Sequence, residues 1–444
     1  MAFKRCIDIL AGRIMAEEKE YKEQEHLSLD PMQGCQLIGA FRAFHGIKDG
    51  YVVLHSPPDC HSGMLLLRTL CDNTDARIAF SGIHPRDFIY GAEHKALIAL
   101  KKVDEIFNPA FIALLDACAP AIVGDDLDAI EFKVAEDKGI KSLIHYFRAA
   151  GFHKNMWLGY ESALASLAKF MDNHEDRKKS DSVNLIGFKD DEFRSVADLT
   201  EIKRLLAGVG VTVNAVLTSD EFKHIVEAPK AALNIVLGGE GVKLARVMDK
   251  EFGIPHKVVD YPYGVSATEM FLERVCEGLG KEVDGIFLAR ERARIKAAVE
   301  KVQFYLHGFY GLSCAIIGDP CKGIALTKFL SAELGFDVKV LTLTNKNFVL
   351  EENVKEVSGI AQEIMVEPDR FEMERCITNA GIQMLFGSTF DKRLANVART
   401  PLIRFAYPTI DTVALIDAPY AGFRGVLTWL ESIVNSLVSR YYEV

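Results

Sequence analysis

The stretch from residue 35 to residue 126 constrains the fold most, because short apolar runs alternate in it with helical patterns. Its strand-like runs are residues 51–54 and 111–115, and a helical pattern at 93–103 lies between them. The same alternation resumes at Val183 and continues through the rest of the chain. Strands that alternate with crossover helices form parallel sheets. The sequence therefore predicts an α/β fold of three Rossmann-like domains, with parallel sheets flanked by helices.

The length and one polar stretch divide the chain. Its 444 residues exceed the size of a typical domain, so two or three domains are expected. Residues 173–181 contain no large apolar side chain, which is typical of a linker or an exposed loop. The predicted divisions are an N-terminal helical segment at 1–30, a first α/β domain at 31–172, a second at 182–300, and a third with a C-terminal helix at 301–444.

Three cysteines stand out within the first α/β domain. Cys35, Cys60 and Cys118 lie in turns marked by glycine or proline, at the end of a predicted strand or the start of a predicted helix. Turns at one edge of an α/β sheet converge in space, and a helix N-terminus stabilises a thiolate. Three thiolates at one edge are therefore a candidate ligand set for an iron–sulfur cluster. The alternative for each of them is a cysteine that only fills space in the core.

The other cysteines and two histidines are weaker candidates. Cys71 lies in a polar loop, and no C-x-x-C pair is present, which disfavours a zinc ribbon or a bacterial ferredoxin pattern. His55 and His61 flank Cys60, where a hydrogen bond to a cluster sulfur would tune the potential. A packed or solvent-facing role for these histidines stays equally open. The cysteines interpreted as packing residues are Cys276, Cys314 and Cys321.

Charge and composition exclude several classes of function. The formal net charge is −10 without a lysine or arginine cluster, which argues against nucleic acid as a partner. No apolar run is long enough for a transmembrane helix, and the one at residues 6–11 is too short for a signal peptide. Nine cysteines without an export signal indicate the reducing cytoplasm. No Walker A sequence is present, so the chain is not expected to hydrolyse nucleotide itself.

The cysteine spacing carries a resemblance to a known family. There are 24 residues between Cys35 and Cys60, and 57 between Cys60 and Cys118. Both intervals, and the turns around them, resemble the nitrogenase component 1 superfamily, and its β-type subunit most of all. Further similar segments follow in order along nearly the whole chain, at residues 88–93, 124–126, 307–308, 318–320, 401–404, 407–408 and 420–425.

This resemblance implies a cofactor and two partners. Cys35, Cys60 and Cys118 would hold half of an iron–sulfur cluster, of the 8Fe-7S P-cluster type or 4Fe-4S, that is shared with an α-type subunit. The resemblance implies a heterodimer, doubled to α2β2, that receives electrons from a separate ATP-dependent dimeric iron protein. The chain would then be the electron-relay subunit of a nitrogenase or a nitrogenase-like reductase.

The turn at residues 235–239 distinguishes the two subunit types. In the superfamily, the catalytic α subunit binds the active-site cofactor through a cysteine just after a strand of its second domain. The corresponding turn here has no cysteine, which favours the β type. Two alternatives stay open within the resemblance. One is a scaffold subunit for cofactor assembly, and the other is a reductase that acts on a tetrapyrrole or a carbon–sulfur substrate.

Overall fold

The structure is a computed structural model that describes residues 34–71, 76–136, 139–172 and 179–442. The predicted N-terminal helical segment lies outside the described residues, as does most of the predicted linker. The described residues contain thirteen strands, numbered here in chain order. Their bounds are β1 Gly50–His55, β2 Ile78–Phe80, β3 Phe111–Asp116, β4 Leu143–Phe147, β5 Lys179–Ile186, β6 Thr212–Leu217, β7 Ala231–Leu237, β8 His256–Val259, β9 Ser313–Gly318, β10 Asp337–Leu343, β11 Glu363–Val366, β12 Met384–Gly387 and β13 Leu402–Arg404.

The strands form three sheets, and every pairing within them is parallel. The first sheet has the order β2-β1-β3-β4, the second β6-β5-β7-β8, and the third β11-β10-β9-β12-β13. Each sheet therefore starts at an inner strand and grows outward on both sides, which is the doubly wound arrangement. The prediction of an α/β fold with parallel sheets flanked by helices is confirmed.

Helices connect the strands in the crossover manner that parallel pairing requires. In the described ranges the α-helices are Gln36–His45, Pro58–Leu70, Asp87–Tyr90, Glu93–Phe107, Cys118–Val123, Leu127–Glu136, Met156–Ser166, Ser195–Gly208, Phe222–Val226, Val242–Phe252, Gly264–Gly278, Gly285–Leu306, Pro320–Ala332, Leu350–Val357, Arg370–Asn379, Lys392–Ala398 and Gly422–Tyr442. None of the helices described in these ranges has the length and apolar composition that crossing a membrane requires.

The strand β3 is buried at every position, because both faces of its sheet are covered. Ala113 and Leu115 pack into one apolar cluster, whereas Ile112 and Leu114 pack into another on the opposite face. A parallel strand that is buried on both faces reads as a continuous apolar run. This is the pattern from which the sequence predicts a strand at these residues.

Two glycines bring the helix Gln36–His45 against the helix Met156–Ser166. A Cβ on Gly39 would lie 1.9 Å from a carbonyl oxygen of the second helix, and a Cβ on Gly159 would lie 2.3 Å from the carbonyl oxygen of Gln36. Only glycine lets two backbones approach so closely. This contact fixes the start of the first helix, directly after Cys35.

The predicted linker at residues 173–181 extends past the start of β5. The strand β5 already begins at Lys179, which pairs with Ala231 of β7. Ser180 and Asp181 are exposed at this end of the strand. The exposed start of a strand is polar for the same reason as a loop, so composition alone did not separate the two.

Candidate metal centre at the edge of the first sheet

Cys60 and Cys118 follow two adjacent strands of the first sheet. The strands β1 and β3 pair along their whole length, and their last residues, His55 and Asp116, lie side by side. The N–H of Ala117 donates to the carbonyl oxygen of His55 at 3.1 Å, which continues the pairing into the turns. Each cysteine lies in the first turn of the helix that follows its strand. Both thiols therefore stand at the carboxyl edge of the sheet.

Cys35 reaches the same edge by a different route. It pairs with Asn155 in an isolated antiparallel bridge, in the loop region beyond β4, and it caps the helix Gln36–His45. The backbone N–H groups of Leu37 and Ile38, at the start of this helix, act to lower the pKa of its thiol. The first N–H groups of a helix have no partner within the helix and favour a thiolate. The predicted placement of all three cysteines, at strand ends and helix starts, agrees with the described elements.

Gly151 lies where two of the thiols meet. A Cβ on Gly151 would lie 2.9 Å from the sulfur of Cys35 and 3.3 Å from the sulfur of Cys118. Cys60 interacts electrostatically with both of these cysteines. The structure therefore brings the three predicted residues together, and all three are partly exposed. The missing side chain at position 151 leaves a space between the thiols that any other residue would fill.

Burial and mutual proximity raise the pKa of two of these thiols. Burial is the main cause of the raised pKa of Cys35, and the negative charge of Cys118 adds to it, against the opposing effect of the helix N–H groups. Burial also dominates the raised pKa of Cys60, followed by repulsion from Cys35 and Cys118. Three thiolates need a positive charge to be stable together at this edge. Bound iron would provide that charge, because metal binding deprotonates its thiol ligands.

The edge differs from a site for a single metal ion. Nowhere in the described part of the chain do three histidine, cysteine, aspartate or glutamate side chains converge on one ion. An iron–sulfur cluster distributes its cysteines over several iron atoms, so its ligands need not meet at one point. The thiol-only donor set and the open space at Gly151 fit such a cluster, and the exposed side leaves room for further ligands.

His55 has a packed role, and His61 lies at the surface. Atom Nε2 of His55 is 2.9 Å from Oδ2 of Asp125, and Nδ1 is 2.9 Å from Oγ of Ser81. Both ring nitrogens of His55 therefore have protein partners, which leaves neither free for a cluster sulfur. His61 stacks on the ring of Phe80, with 4.3 Å between the ring centroids, and is partly exposed.

Cys71 lies in a turn, and the polar residues 72–75 that follow it are outside the described residues. It directly follows the helix Pro58–Leu70 and is buried, lining a small cavity with Arg68, Asp191 and Tyr407. Burial raises the pKa of Cys71 to about 12. The polar residues that suggested a loop come after it in sequence. Of the other cysteines, the structure buries Cys276, Cys314 and Cys321 as predicted, and it leaves Cys376 partly exposed on a helix beside the third sheet.

The turn at residues 235–239 is packed against side chains that follow strands β9 and β10 of the third sheet. A Cβ on Gly238 would lie 2.1 Å from the sulfur of Cys321. Asn347 donates from Nδ2 to the carbonyl oxygen of Gly238 at 2.9 Å. Beside it, Lys322 and Glu192 form a buried ion pair at 2.6 Å. The position at which the resemblance places a cofactor in the α-type subunit is therefore filled in this chain.

Exposed apolar side chains beside the cysteine edge are a feature that the sequence analysis missed. Ile89 and Tyr90 are 76% and 80% exposed, and Ile122 is 74% exposed. The short helix of Ile89 and Tyr90 packs against the helix of Ile122, whose first residue is Cys118. Phe152, in the loop beyond β4, is also exposed. These four residues are called the apolar rim below, and a surface of this kind marks an interaction site. The adjacent Ile89 and Tyr90, directly before a glycine, are the signal that could have revealed it.

Two buried arginines anchor two of the cysteine-bearing helices to the loop after β5. Arg42, on the first of these helices, donates to both carboxylate oxygens of Asp191 at 2.6 and 2.7 Å. Arg68, on the second, donates to both carboxylate oxygens of Asp190 at 3.0 and 2.9 Å. Bidentate pairs of this kind fix orientation as well as distance. They tie the cysteine edge to the neighbouring sheet.

Comparison with known proteins identifies a family and several relatives. The family model described as nitrogenase component 1 type oxidoreductase matches residues 35–438. The nitrogenase molybdenum-iron protein beta chain of Clostridium pasteurianum is 25% identical over 451 residues, which cover 96% of this chain and 96% of that protein. The beta chain from Methanococcus maripaludis is 24% identical over 463 residues, with 97% and 98% covered.

A further relative and a solved structure complete the comparison. The nitrogenase iron-molybdenum cofactor biosynthesis protein NifE of Clostridium pasteurianum is 29% identical over 375 residues, which cover 82% of this chain and 79% of that protein. A chain of the solved structure described as Nitrogenase Cp1 at pH 6.5 has a TM-score of 0.82 at 23% identity, with 96% of this chain and 97% of that chain covered. At this identity the structural likeness shows the fold.

Proposed function

The chain belongs to the nitrogenase component 1 type oxidoreductases, and from this membership we propose that it is a β-type subunit with an electron-relay role. Cys35, Cys60 and Cys118 supply three thiolates to an iron–sulfur cluster that is shared with an α-type subunit. The electrons come from a separate ATP-dependent iron protein, as the resemblance to the family implies; the chain itself has no Walker A sequence.

The space at Gly151 is the observation that supports this proposal most. Two thiols border this space, and the third interacts electrostatically with both. The cysteines outside this edge that the structure describes are buried or lie by another sheet. A packing role explains a buried thiol, but it does not explain three partly exposed ones at one edge.

The chain's own residues orient the thiolates and prepare the contact with the partner. The N–H groups of Leu37 and Ile38 stabilise negative charge on Cys35. The α-type subunit docks on the apolar rim and covers the exposed side of the edge. The contact between the two subunits then excludes water from the thiolates. When bound, an iron–sulfur cluster supplies one-electron transfer.

Single substitutions test the ligand assignment. Cys35→Ala, Cys60→Ala and Cys118→Ala should each remove a large part of the iron and of the charge-transfer absorbance from the purified complex. Cys376→Ala is the matched control, because this thiol is also partly exposed but lies on a helix of the third sheet region. Full iron content in all three edge variants would end the assignment.

Turnover under three conditions tests electron delivery. Substrate reduction should require both the iron protein and MgATP, and it should stop when either is omitted. A low-potential chemical reductant alone should not replace them. Equal substrate reduction under all three conditions would rule out a relay subunit of this kind.

A cofactor-assembly scaffold is the second candidate, and the 29% identity to NifE over 82% of this chain favours it. A scaffold complex would transfer metal to a cofactor-free acceptor protein instead of reducing substrate itself. Incubation of the loaded complex with such an acceptor, followed by metal analysis of both proteins, separates the two functions. Metal that stays on the complex through repeated turnover supports the relay subunit.

A further inference from the structure

We propose that Asp125 is a positioning residue that holds the strand leading to Cys60, the segment after Cys118 and the apolar rim in one fixed arrangement. Its importance for metal binding rests on the proposed function, whereas the contacts themselves do not. The Asp125 side chain is only 4% exposed, although it lies in a turn at the edge of the sheet. A buried carboxylate needs hydrogen-bond donors for its oxygens, and Asp125 takes them from two other segments.

The first donor is His55, at the end of β1. Its Nε2 lies 2.9 Å from Oδ2 of Asp125, and its Nδ1 lies 2.9 Å from Oγ of Ser81. An ionised carboxylate can only accept, so Nε2 carries the proton and Nδ1 accepts the hydroxyl proton of Ser81. Burial lowers the pKa of His55, in line with a neutral ring. Asp125 thereby fixes the end of the strand that leads to Cys60.

The second donor belongs to the turn that follows Ile89 and Tyr90 of the apolar rim. The N–H of Ala92 donates to Oδ1 of Asp125 at 3.1 Å. Gly91 has φ +79°, and a Cβ on it would lie only 3.2 Å from the same oxygen, so this turn lies tightly against the carboxylate. The next residue, Asp126, donates its N–H to Oε1 of Glu93 at 2.9 Å. The turn that follows Tyr90 and the segment after Cys118 are thus joined through Asp125 and Asp126.

The Asp125 carboxylate therefore accepts from two segments at once. His55 donates to Oδ2, and the N–H of Ala92 lies 3.1 Å from Oδ1 and 3.3 Å from Oδ2. Asparagine offers a single acceptor oxygen, and its amide group would face the second donor. A buried donor that loses its acceptor is strongly unfavourable. The variant Asp125→Asn should therefore release either the strand end or the rim turn, while it removes no proposed ligand and no rim residue.

Asp126→Asn is the matched control. Asp126 is exposed, and its Oδ1 accepts from the N–H of Ala129 at 3.0 Å, a capping contact that asparagine keeps. In the metal-free full-length chain, Asp125→Asn should speed amide hydrogen exchange about tenfold in residues 55–60, 88–93 and 118–126, and nowhere else. In the complex it should weaken partner binding about tenfold and shift the electron paramagnetic resonance signal of the bound iron. Asp126→Asn should change none of these.

Two results would overturn the proposal. One is unchanged exchange and partner affinity in Asp125→Asn, and the other is faster exchange over all three sheets, which indicates a general loss of stability. His55→Phe provides a second variant, because it removes the first donor but keeps ring volume, and it should produce the same local pattern. Exchange is measured without metal. A local response in a chain that never binds iron would therefore refute the proposed function and leave the positioning role intact.

Discussion

Gly151 and Gly63 differ in what a single methyl group would meet. On Gly151 the added Cβ would lie between the sulfurs of Cys35 and Cys118, whereas on Gly63, in the helix of Cys60, it would meet nothing within 4 Å. We expect Gly151→Ala to bind iron at least several-fold more weakly, since overpacking of this kind costs about 1–3 kcal/mol. Gly63→Ala should keep the iron and stabilise its helix by up to about 1 kcal/mol. Metal analysis of both purified complexes checks this, and equal iron loss would contradict the role of Gly151.

His145 makes the stability of the chain depend on pH in the acid range. Burial beside aromatic rings, among them Phe44 and Phe170, lowers the pKa of His145 to about 3. The unfolded chain takes up this proton below about pH 6.5, but the folded chain does not. The stabilising contribution is therefore complete above that pH, and between about pH 6.5 and 3 it falls by about 1.4 kcal/mol per pH unit.

The variant His145→Gln tests this dependence. It cannot take up a proton, so its melting temperature should fall less than that of the wild type between pH 7 and pH 5. Thermal unfolding of the metal-free chains, followed by circular dichroism, measures both slopes. Identical slopes would mean that His145 does not control the acid response.

Secondary-structure elements were predictable where the sheets are covered on both faces. The inner strands β1, β3 and β9 are almost entirely buried and form continuous apolar runs. The edge strands β8 and β11 are partly exposed and carry lysine or glutamate, so the alternation rule does not detect them. The edge strands β2, β4 and β13 were also missed, because β2 and β13 have only three residues each and His145 interrupts the apolar run of β4.

The cysteine edge was likewise predictable from sequence only in part. The turns around Cys35, Cys60 and Cys118 contain local signals, so their common edge follows from sequence. Gly151 follows the unrecognised edge strand β4, and Asp125 contacts its donors across distant parts of the chain. Contacts that depend on tertiary structure have no local pattern, which is why neither residue was identified as part of the site.

The ion pairs of Arg42 with Asp191 and of Arg68 with Asp190, called the arginine clamps here, should control how firmly the helices beside the cysteine edge are held. Among the residues that the structure describes, Asp191→Ala leaves the buried Arg42 with only Glu192, at 3.2 Å, as an ion-pair partner. Removing one partner of a buried pair costs about 3–5 kcal/mol, so we expect a clear drop in the melting temperature and weaker iron retention. Glu221→Ala breaks an exposed ion pair with Lys223 and should change neither. Equal melting temperatures for the two variants would contradict the clamp.

At the scale of the whole molecule, the candidate chemistry is confined to one edge. The turn at residues 235–239 is filled by Cys321 and Asn347, and the space beside it is filled by the buried pair of Lys322 and Glu192. The cysteine edge, in contrast, is partly exposed and lies beside the apolar rim. We propose that a second protein completes the metal site of this chain and that it docks on the rim.

Charge placed on the rim should therefore prevent assembly without unfolding the chain. Ile122→Asp adds a carboxylate to a side chain that is 74% exposed, and Phe371→Asp does the same at one that is 79% exposed on the helix Arg370–Asn379. Neither change removes core packing, so both chains should melt like the wild type. A carboxylate that is buried at the interface without a partner is strongly unfavourable, so Ile122→Asp should bind the α-type subunit at least about tenfold more weakly. Phe371→Asp should bind normally, because Phe371 lies on a helix that packs beside the third sheet and is not part of the apolar rim. Analytical ultracentrifugation of mixed subunits measures both affinities, and normal binding by Ile122→Asp would move the docking face away from the rim.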